Sequence, residues 1–416
     1  MRVEIISCGT ELLLGSIVNT NARFLSQILA ENALDVHTQV TVGDNIERLT
    51  NAFSHATNQA DIAICSGGLG PTEDDVTAQA LANFLNVPLQ FHRATYQHIL
   101  KKLKKHHFKM TDLVKRQCFI PEGAQVIQND FGTAPGILCK MTRDGVKRWL
   151  LLLPGPPREL EPMFLKKALP PLLKEIKIKK EYFIQRKIKI SGLAESEVAE
   201  KVIDLLKLRP PATVGIYARL GEVELKIMSK SKTLKKANKI ADSIEYKIRA
   251  RFKKRVFGVN EETLASVSGQ LLKKHKKTIA IAESCTGGLI SNLMTDTPGS
   301  SDYFLGGLTS YHNKIKISQL GVEEKLLKRY GAVSAPVAKK MAKNIKTYFN
   351  SDYGIGITGI AGPAGGSTKK PVGLVYIAVS DKSRIICHKC HFFGTRQEIK
   401  MRAALEALDI FRLFIT

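Results

Sequence analysis

Residues 3–12, VEIISCGTEL, join a short β-branched apolar run to a turn that contains a glycine and an acidic residue. The same alternation of apolar runs and helical periods continues along the chain, at 22–31, 36–42, 46–58, 61–65 and 76–85. It predicts βαβ units, and therefore a parallel sheet covered by helices. Asn19 and Asn45 are expected to cap the helices that follow them. Ligands of such sheets bind beyond the carboxyl ends of the strands, where this chain has its glycine-rich loops.

Two further patterns follow Pro170-Pro171. The first is lysine-rich and predicts a small α+β module in the order β-α-β-β-α, at 184–190, 196–206, 213–217, 222–228 and 234–252. The second predicts another α/β region, with helices at 262–274, from 288 and at 396–414, and strands at 278–282, 353–357, 372–379 and 385–392.

Length and composition indicate a large globular protein. At 416 residues, of which 44% are hydrophobic, the chain should form two to three domains. No run approaches the roughly 18 consecutive apolar residues of a membrane span. Glu4 interrupts the N-terminal segment where a signal peptide would be apolar. We therefore expect a cytoplasmic protein with no membrane partner.

The seven cysteines are odd in number and scattered, which argues against a disulfide framework. Residues 387–391, CHKCH, fit the attachment signature of c-type haem and resemble a metal-binding cluster. However, this segment is predicted to be a strand, in which residues three apart point to opposite faces. We therefore do not expect haem or zinc there.

The net charge of +25 is unevenly distributed. The first hundred residues are not basic, whereas 174–255 and 273–277 are crowded with lysine. We interpret this excess as a solvated lysine-rich surface that helps to attract anionic substrates. Aromatic residues for base stacking are sparse, and we do not expect nucleic acid to be a partner.

Three loops in the N-terminal region follow predicted strands, at 7–12, 66–75 and 153–159. Glycines allow a backbone to approach a phosphate closely. Glu73, Asp74 and Asp75 suit a divalent metal that neutralises a pyrophosphate, although they would equally favour the first turn of a helix. The carboxylates alone leave both interpretations open.

Together the N-terminal motifs resemble one family, at 9–15, 19–21, 42–44, 67–77, 129–136 and 153–157. Residues 1–168 resemble the molybdopterin-binding-type domain of the competence/damage-inducible protein A (CinA) family. The resemblance implies metal-dependent hydrolysis of ADP-ribose to AMP and ribose 5-phosphate. It also implies that glycines bind phosphate and that carboxylates hold the metal and water, namely Gly67, Gly68 and Gly70, and Asp44, Glu73, Asp74 and Asp75.

Residues 191–196 resemble the KH-like middle domain of the same family, which we place at 169–258. A nucleic-acid-binding KH module clamps the backbone with a G-x-x-G loop. No such sequence occurs between Lys174 and Arg255. We therefore expect this domain to serve as a spacer or an interface.

In the C-terminal region, the hexapeptide ESCTGG at 283–288 follows a predicted strand. Ser284 would stand at a strand-to-helix turn, where Gly287 and Gly288 could expose N–H groups to an oxyanion or a phosphate. A serine needs a neighbouring base to become a nucleophile. Similar turns also bind phosphate without chemistry, so this motif alone leaves the two roles open.

Further motifs accompany this turn, at 304–307, 311–316, 356–363, 365–367, 370–373 and 394–396. With them, residues 262–416 resemble the C-terminal CinA domain, the nicotinamide mononucleotide deamidase family. The resemblance implies Ser284 as nucleophile and Lys316 as its base. It also implies that Tyr311 and Thr358 orient the substrate or stabilise the tetrahedral intermediate, and that Arg396 contacts a phosphate. Cys285 is the alternative nucleophile.

A working Lys316 must be partly neutral near pH 7, which requires burial or cationic neighbours. The implied reaction converts nicotinamide mononucleotide and water to nicotinate mononucleotide and ammonia, without a cofactor. A divalent metal is expected only in the N-terminal domain, with ADP-ribose as its substrate.

The expected fold class is α/β, with two parallel-sheet α/β domains joined by a small KH-like α+β domain. The first, at 1–168, is molybdopterin-binding-like, and the last, at 259–416, is the CinA C-terminal domain. The resemblance suggests a homodimer. Two alternatives remain, a competence or DNA-damage accessory protein whose domains act as binding modules, and a molybdopterin-binding protein.

Overall fold

The computed structural model describes residues 1–105, 107–176 and 181–416. The chain divides into two compact units, which are described separately below. The first comprises Met1–Phe183 with Lys230–Ala237, and the second comprises Ile184–Ser229 with Asn238–Thr416. Within the described residues, none of the helices combines the length and the apolar character needed to cross a membrane.

The first unit is built on a six-stranded mixed sheet. Its strands are β1 (Arg2–Cys8), β2 (Asp35–Val42), β3 (Ile62–Ser66), β4 (Leu89–Phe91), β5 (Phe119–Pro121), β6 (Gln125–Ile127), β7 (Gly136–Arg143) and β8 (Val146–Leu153). Its helices are α1 (Thr10–Leu13), α2 (Thr20–Glu31), α3 (Ile46–Gln59), α4 (Thr77–Leu85), α5 (Arg93–Lys105), α6 (Asp112–Arg116), α7 (Pro157–Met163) and α8 (Leu169–Glu175), with a π-helical turn at Phe164–Ala168. The sheet order is β2-β1-β3-β8-β7-β6, and β4 pairs separately with β5.

The predicted parallel βαβ arrangement is confirmed for β1, β2, β3 and β8, whereas β6 and β7 add antiparallel pairings. The apolar run of β8 is continuous because both faces of the sheet are buried. Leu151 and Leu153 pack on one face, whereas Leu150 and Leu152 pack on the other. The side chains of Asn19 and Asn45 accept hydrogen bonds at the starts of α2 and α3, as predicted.

The middle segment of the chain has the predicted β-α-β-β-α order. It contains β9 (Tyr182–Ser191), α9 (Glu195–Lys201), α10 (Ile203–Leu206), β10 (Ala212–Arg219), β11 (Glu222–Ser231), α11 (Leu234–Phe252), a 3-10 turn (Lys253–Arg255) and β12 (Val256–Val259). The strand order is β10-β11-β9-β12, so an unpredicted fourth strand lies at the edge. Apolar side chains of the sheet and of α9 and α11, such as Ile190, Val198 and Ile248, form one core.

The C-terminal part of the second unit is a five-stranded mixed sheet with the order β14-β13-β15-β16-β17. The strands are β13 (Ile279–Glu283), β14 (Phe304–Thr309), β15 (Tyr353–Gly359), β16 (Leu374–Ser380) and β17 (Ile385–His391). The helices are α12 (Leu264–His275), α13 (Leu289–Thr295), α14 (Asn313–Ser318), α15 (Glu324–Tyr330), α16 (Ala335–Tyr348) and α17 (Arg396–Ile415), with a 3-10 turn at Ser300–Asp302.

The pairings of β13 with β14 and β15 are parallel, and those of β16 are antiparallel. The α/β class is therefore confirmed, with mixed rather than wholly parallel sheets. The sequence pattern predicts every strand of this sheet except β14, and it does not predict α14, α15 or α16.

The CHKCH segment lies in β17, as predicted. Cys390 packs against the core that contains α12 and α17, whereas Cys387 packs against the small cluster of Ala338, Ala342 and Ala378. The two thiols thus lie on opposite faces of the sheet. Among the described residues, no group of three or more histidine, cysteine and carboxylate side chains is arranged to hold a metal ion.

Candidate active sites

Ser284 stands at the carboxyl end of β13, where the chain turns into α13. Its backbone N–H donates to the Ile357 carbonyl of the neighbouring strand β15, at 3.1 Å. Gly287 and Gly288 follow with φ values of +66° and +97°, a conformation that favours glycine. This turn leaves the Ser284 side chain 7% exposed at the end of the sheet.

The carboxylate of Glu283 holds this turn in place. It is fully buried and accepts hydrogen bonds from the backbone N–H groups of Gly288, Ile290 and Ser291, at 3.0, 3.1 and 2.8 Å. The Ser291 hydroxyl donates to it as well, at 2.7 Å. Sequence reasoning gave Glu283 no role, although its place directly before the serine was a usable signal.

These hydrogen bonds correct the expectation for Gly287 and Gly288. The N–H of Gly288 donates to the Glu283 carboxylate, and the N–H of Gly287 donates to the Ser284 carbonyl at 3.1 Å. Both amides are therefore already satisfied within the turn. The two glycines shape the loop, and neither lines the cavity beside Ser284.

Lys316 lies in α14 and is 1% exposed. Its Nζ lies 3.0 Å from Ser284 Oγ, 2.6 Å from the Ser310 carbonyl oxygen and 3.2 Å from the Tyr311 carbonyl oxygen. Burial disfavours the charged ammonium and lowers the pKa of Lys316 to about 8. The lysine thus has the neutral fraction near pH 7 that its predicted role requires.

The three partners of Lys316 match the bonding capacity of a neutral amine. A neutral amine has two N–H donors and one lone pair, and carbonyl oxygens can only accept. The two N–H groups can therefore donate to Ser310 and Tyr311, which leaves the lone pair to accept the hydroxyl proton of Ser284. This is the arrangement needed between a serine nucleophile and its base.

Cys285 adjoins Ser284 and also contributes to the cavity wall. Its side chain packs into the apolar core of the sheet, and burial raises the pKa of its thiol to about 12. Because the thiolate is the reactive form of cysteine, this environment opposes nucleophilic attack by Cys285. The geometry favours Ser284.

A cavity of about 180 Å³ opens beside Ser284, and we call it the C-terminal cavity. The structure brings all four predicted side chains to it, Lys316, Tyr311, Thr358 and Arg396. The remainder of its lining is Cys285, Asn313, Ala332, Val333, Gly359 and Ala361.

Thr358 and Arg396 are already hydrogen-bonded at this cavity. The Thr358 hydroxyl donates to the Ala332 carbonyl at 2.9 Å, so its oxygen is left to accept a bond from a ligand. Arg396 donates to the Gly362 carbonyl at 2.5 Å and to the Tyr311 hydroxyl at 2.8 Å. Tyr311 is 61% exposed, which places this pair on the solvent side of the cavity.

Ala332 and Val333 form a wall that sequence reasoning did not anticipate. The Lys370 ammonium donates to the carbonyl oxygens of Tyr330 and Val333, at 2.7 and 2.8 Å, on either side of Ala332. Lys370 therefore fixes the backbone that flanks Ala332, to whose carbonyl Thr358 donates.

A second and larger cavity, of about 500 Å³, lies at the carboxyl ends of β1, β3 and β8, and we call it the N-terminal cavity. Its walls come mainly from the three predicted loops, together with Asp44. Gly67, Gly68 and Gly70, the glycines predicted to bind phosphate, lie in its lining. A Cβ atom on Gly67 would lie 2.2 Å from the Cys8 carbonyl oxygen, so only glycine fits at that position.

The predicted metal ligands are only partly brought together. Asp44, Asp74 and Asp75 line the N-terminal cavity, whereas Glu73 is exposed outside it, which corrects its assignment. Asp44 accepts from the Cys8 thiol and from both the N–H and the hydroxyl of Thr10. Burial opposes ionisation of Asp44, but these hydrogen bonds outweigh it and lower its pKa.

The arrangement fits one mode of metal binding. The described residues form no cage of three or more ligands here. Mg²⁺, however, is usually held by one or two carboxylates together with substrate phosphates. One or two of the carboxylates Asp44, Asp74 and Asp75, which line the cavity beside the glycine loop, suit a metal held in that way.

Sequence reasoning also missed Glu159, in α7. It is 8% exposed and lines the N-terminal cavity. Its position in the loop motif at 153–159 was visible, but its burial depends on contacts with residues far away in the sequence.

The fold and the two cavities define a multidomain α/β protein with two separate candidate sites. A family model for the CinA C-terminal domain matches residues 261–415. A model for a probable molybdopterin binding domain matches residues 4–174, and one for the damage-inducible protein CinA KH domain matches residues 185–258.

Similar proteins extend over the whole chain. A putative competence-damage inducible protein of Caldicellulosiruptor bescii is 42% identical over 99% of this chain and 98% of its own length. One of Moorella thermoacetica is 42% identical over 98% of this chain and 97% of its own length. A solved structure of CinA from Thermoplasma acidophilum is 31% identical and covers 42% of this chain and 98% of its own, with a TM-score of 0.36. The chain belongs to the CinA family of competence/damage-inducible proteins.

Proposed function

We propose that the C-terminal cavity hydrolyses the carboxamide of nicotinamide mononucleotide, giving nicotinate mononucleotide and ammonia. The observation that carries this proposal is the buried Lys316, whose Nζ lies 3.0 Å from Ser284 Oγ. A burial-lowered pKa of about 8 supports its action as a base. Few structural roles require a lysine that is 1% exposed and has no carboxylate partner among its hydrogen bonds.

In the proposed reaction, Ser284 Oγ attacks the carboxamide carbon while Lys316 Nζ accepts the hydroxyl proton. The resulting tetrahedral intermediate breaks its C–N bond, and Lys316 gives the proton to the departing nitrogen, which leaves as ammonia. Water then attacks the acyl-serine, again with proton transfer to Lys316. The new carboxylate departs and Ser284 recovers its proton.

The size of the C-terminal cavity supports a small amide group as its occupant. Typical ligand pockets measure about 300–1,000 Å³, so a cavity of about 180 Å³ holds the reacting end of a mononucleotide. The remainder would extend past exposed Tyr311 toward Arg396. A phosphate there would compete with Gly362 and Tyr311 for the donors of Arg396.

The test is an assay of the purified full chain with nicotinamide mononucleotide, following ammonia and the acid product. Ser284→Ala should abolish ammonia release, and Cys285→Ala should retain most of it. Undiminished release by Ser284→Ala, or loss confined to Cys285→Ala, would reject the assignment.

We further propose that the N-terminal cavity hydrolyses ADP-ribose to AMP and ribose 5-phosphate with a divalent metal. A volume of about 500 Å³, a glycine loop suited to phosphates and carboxylates beside it support this second activity. When bound, the metal would neutralise charge on the phosphates. Incubation with ADP-ribose and Mg²⁺ should yield AMP, and a chelator should stop the reaction. An Asp75→Ala variant with unchanged turnover would remove Asp75 from the metal site.

A further inference from the structure

Glu159 differs from the other carboxylates at the N-terminal cavity. Among the described residues that line this cavity, it is the one buried carboxylate, at 8% exposure. The others are partly or fully exposed, namely Glu11, Asp44, Asp74 and Asp75. Burying an ionisable group is costly even beside a charged neighbour, here Lys102, so this placement calls for an explanation.

A buried amide fixes one oxygen of Glu159. Asn129 is 1% exposed, and its Nδ2 donates to Glu159 Oε2 at 2.7 Å and to the Ala134 carbonyl at 2.8 Å. Its Oδ1 accepts from the backbone N–H groups of Phe131 and Gly132, at 2.9 and 2.8 Å. Every donor and acceptor site of the amide is thus used, and its orientation is fixed.

The loop that carries Asn129 also makes room for the carboxylate. A Cβ atom on Gly132 would lie 1.9 Å from Glu159 Oε2, so any larger residue would displace Glu159 or the loop. The Lys102 ammonium donates to the Gly132 carbonyl at 2.8 Å and also interacts electrostatically with Glu159. The position of the Glu159 side chain is therefore set by Asn129, Gly132 and Lys102.

The remaining oxygen of Glu159 distinguishes it further. Within the described part of the chain, Oε1 takes part in no hydrogen bond. In contrast, Asp44 uses both carboxylate oxygens within its own loops. Asp75 accepts from the N–H and the hydroxyl of Thr72 through Oδ2 alone, but it is partly exposed. Glu159 therefore differs from Asp44 in its unused oxygen and from Asp75 in its burial.

We propose that Glu159 is the general base of the N-terminal cavity, an inference that rests on the proposed hydrolysis of ADP-ribose. Its Oε1 accepts a proton from water while the water oxygen forms a bond to phosphorus. The bond between that phosphorus and the bridging oxygen breaks, and the leaving phosphate keeps the electron pair. The products are AMP and ribose 5-phosphate, and Glu159 returns its proton to the leaving phosphate or to solvent.

The test compares Glu159→Gln with the wild-type full chain. Glutamine keeps the shape of the glutamate side chain and an oxygen that can accept the hydrogen bond from Asn129. Its amide, however, cannot accept a proton from water. We expect kcat for ADP-ribose to fall by at least about a hundredfold, as is typical for loss of a general base. Binding of ADP-ribose, measured by calorimetry with Mg²⁺, should change less than about threefold. Glu159→Asp keeps the carboxylate on a side chain that is one methylene shorter. Its rate should lie between those of the wild type and Glu159→Gln.

Controls separate the outcomes. Glu161→Gln, in the same helix but outside the cavity lining, should behave like wild type, and ammonia release at Ser284 should be normal in every variant. If wild type hydrolyses ADP-ribose and Glu159→Gln matches its rate, the base assignment is wrong but the proposed activity stands. Parallel loss of rate and binding would make Glu159 a binding residue and would also overturn the proposal. An inert wild type would overturn both.

Discussion

The two cavities differ in how they use their ionisable groups. In the C-terminal cavity, the proposed nucleophile Ser284 and the proposed base Lys316 are already in hydrogen-bond contact, and burial lowers the pKa of Lys316 to about 8. In the N-terminal cavity, Asp44 and Asp75 are engaged with their own loops. Under the proposed functions, one site would be complete within its own side chains, whereas the other would need a metal and the phosphates of its substrate.

The difference also shows in the sequence motifs. The C-terminal motif supplies one candidate nucleophile, Ser284, whose partner Lys316 is 32 residues away in the chain. The N-terminal motifs supply many carboxylates, of which the most prominent run, at 73–75, includes the exposed Glu73. The run of acidic residues at 73–75 therefore includes a residue outside its cavity, whereas the single buried Lys316 lines its own.

The largest expected effect comes from replacing the base. Lys316→Arg should reduce kcat/KM for nicotinamide mononucleotide by about a thousandfold or more, because a guanidinium does not release its proton near neutral pH. ADP-ribose hydrolysis should be unaffected, since the N-terminal cavity makes no use of Lys316. The measurement is ammonia release beside AMP formation from one preparation. Lys314→Arg, at an exposed site in the same helix, is the matched control.

The rate of deamidation should depend on pH through the protonation of Lys316. Only neutral Lys316 can accept the serine proton, so kcat/KM for deamidation should rise about tenfold per pH unit and level off near pH 8. An ordinary lysine would delay the plateau to above pH 10. A plateau at that higher pH would show that burial does not lower the pKa of Lys316.

A smaller effect is expected at Thr358. Its hydroxyl already donates to Ala332, so it can orient a substrate amide by accepting a hydrogen bond. We expect Thr358→Val to lower kcat by about tenfold, whereas loss of an oxyanion donor costs on the order of a hundredfold. Steady-state kinetics distinguish the two, with Thr358→Ser as the conservative control. A hundredfold loss restored by serine would make Thr358 the oxyanion donor.

The smallest expected effect is on stability. The pKa of Lys316 is lower in the folded protein than in the unfolded chain, so between about pH 8 and 10.5 the unfolded chain binds the extra proton. The wild type should therefore gain stability as pH rises through this range, whereas Lys316→Met cannot. From pH 7 to 9.5, the stability of Lys316→Met relative to wild type should fall by on the order of 2 kcal/mol. Denaturant unfolding at both pH values measures this change, and a constant difference would contradict it.

Local patterns predicted most of the elements because they depend on neighbouring residues. The caps at Asn19 and Asn45 and the strands that enter both sites are of this kind. Strand β14 was not predicted from the sequence, because Gly306 and Gly307 weaken the strand pattern. They are needed there because a Cβ atom would lie 2.6 Å from the Phe349 ring and 2.2 Å from the Ser291 hydroxyl. These are long-range contacts that no local pattern reports.

Local patterns and motifs were enough to predict the α/β class, the family and the placement of Ser284 at a strand-to-helix turn. They supplied Lys316 as a base through resemblance, but among so many lysines only packing could separate this one from the rest. The tertiary structure decided that Lys316 is buried against two carbonyl groups, that Gly287 and Gly288 shape the turn, and that Glu73 lies outside its cavity. The protonation of Lys316 and the access of a side chain to a cavity both depend on how solvent is excluded. Solvent exclusion is a property of the folded chain and not of any short segment.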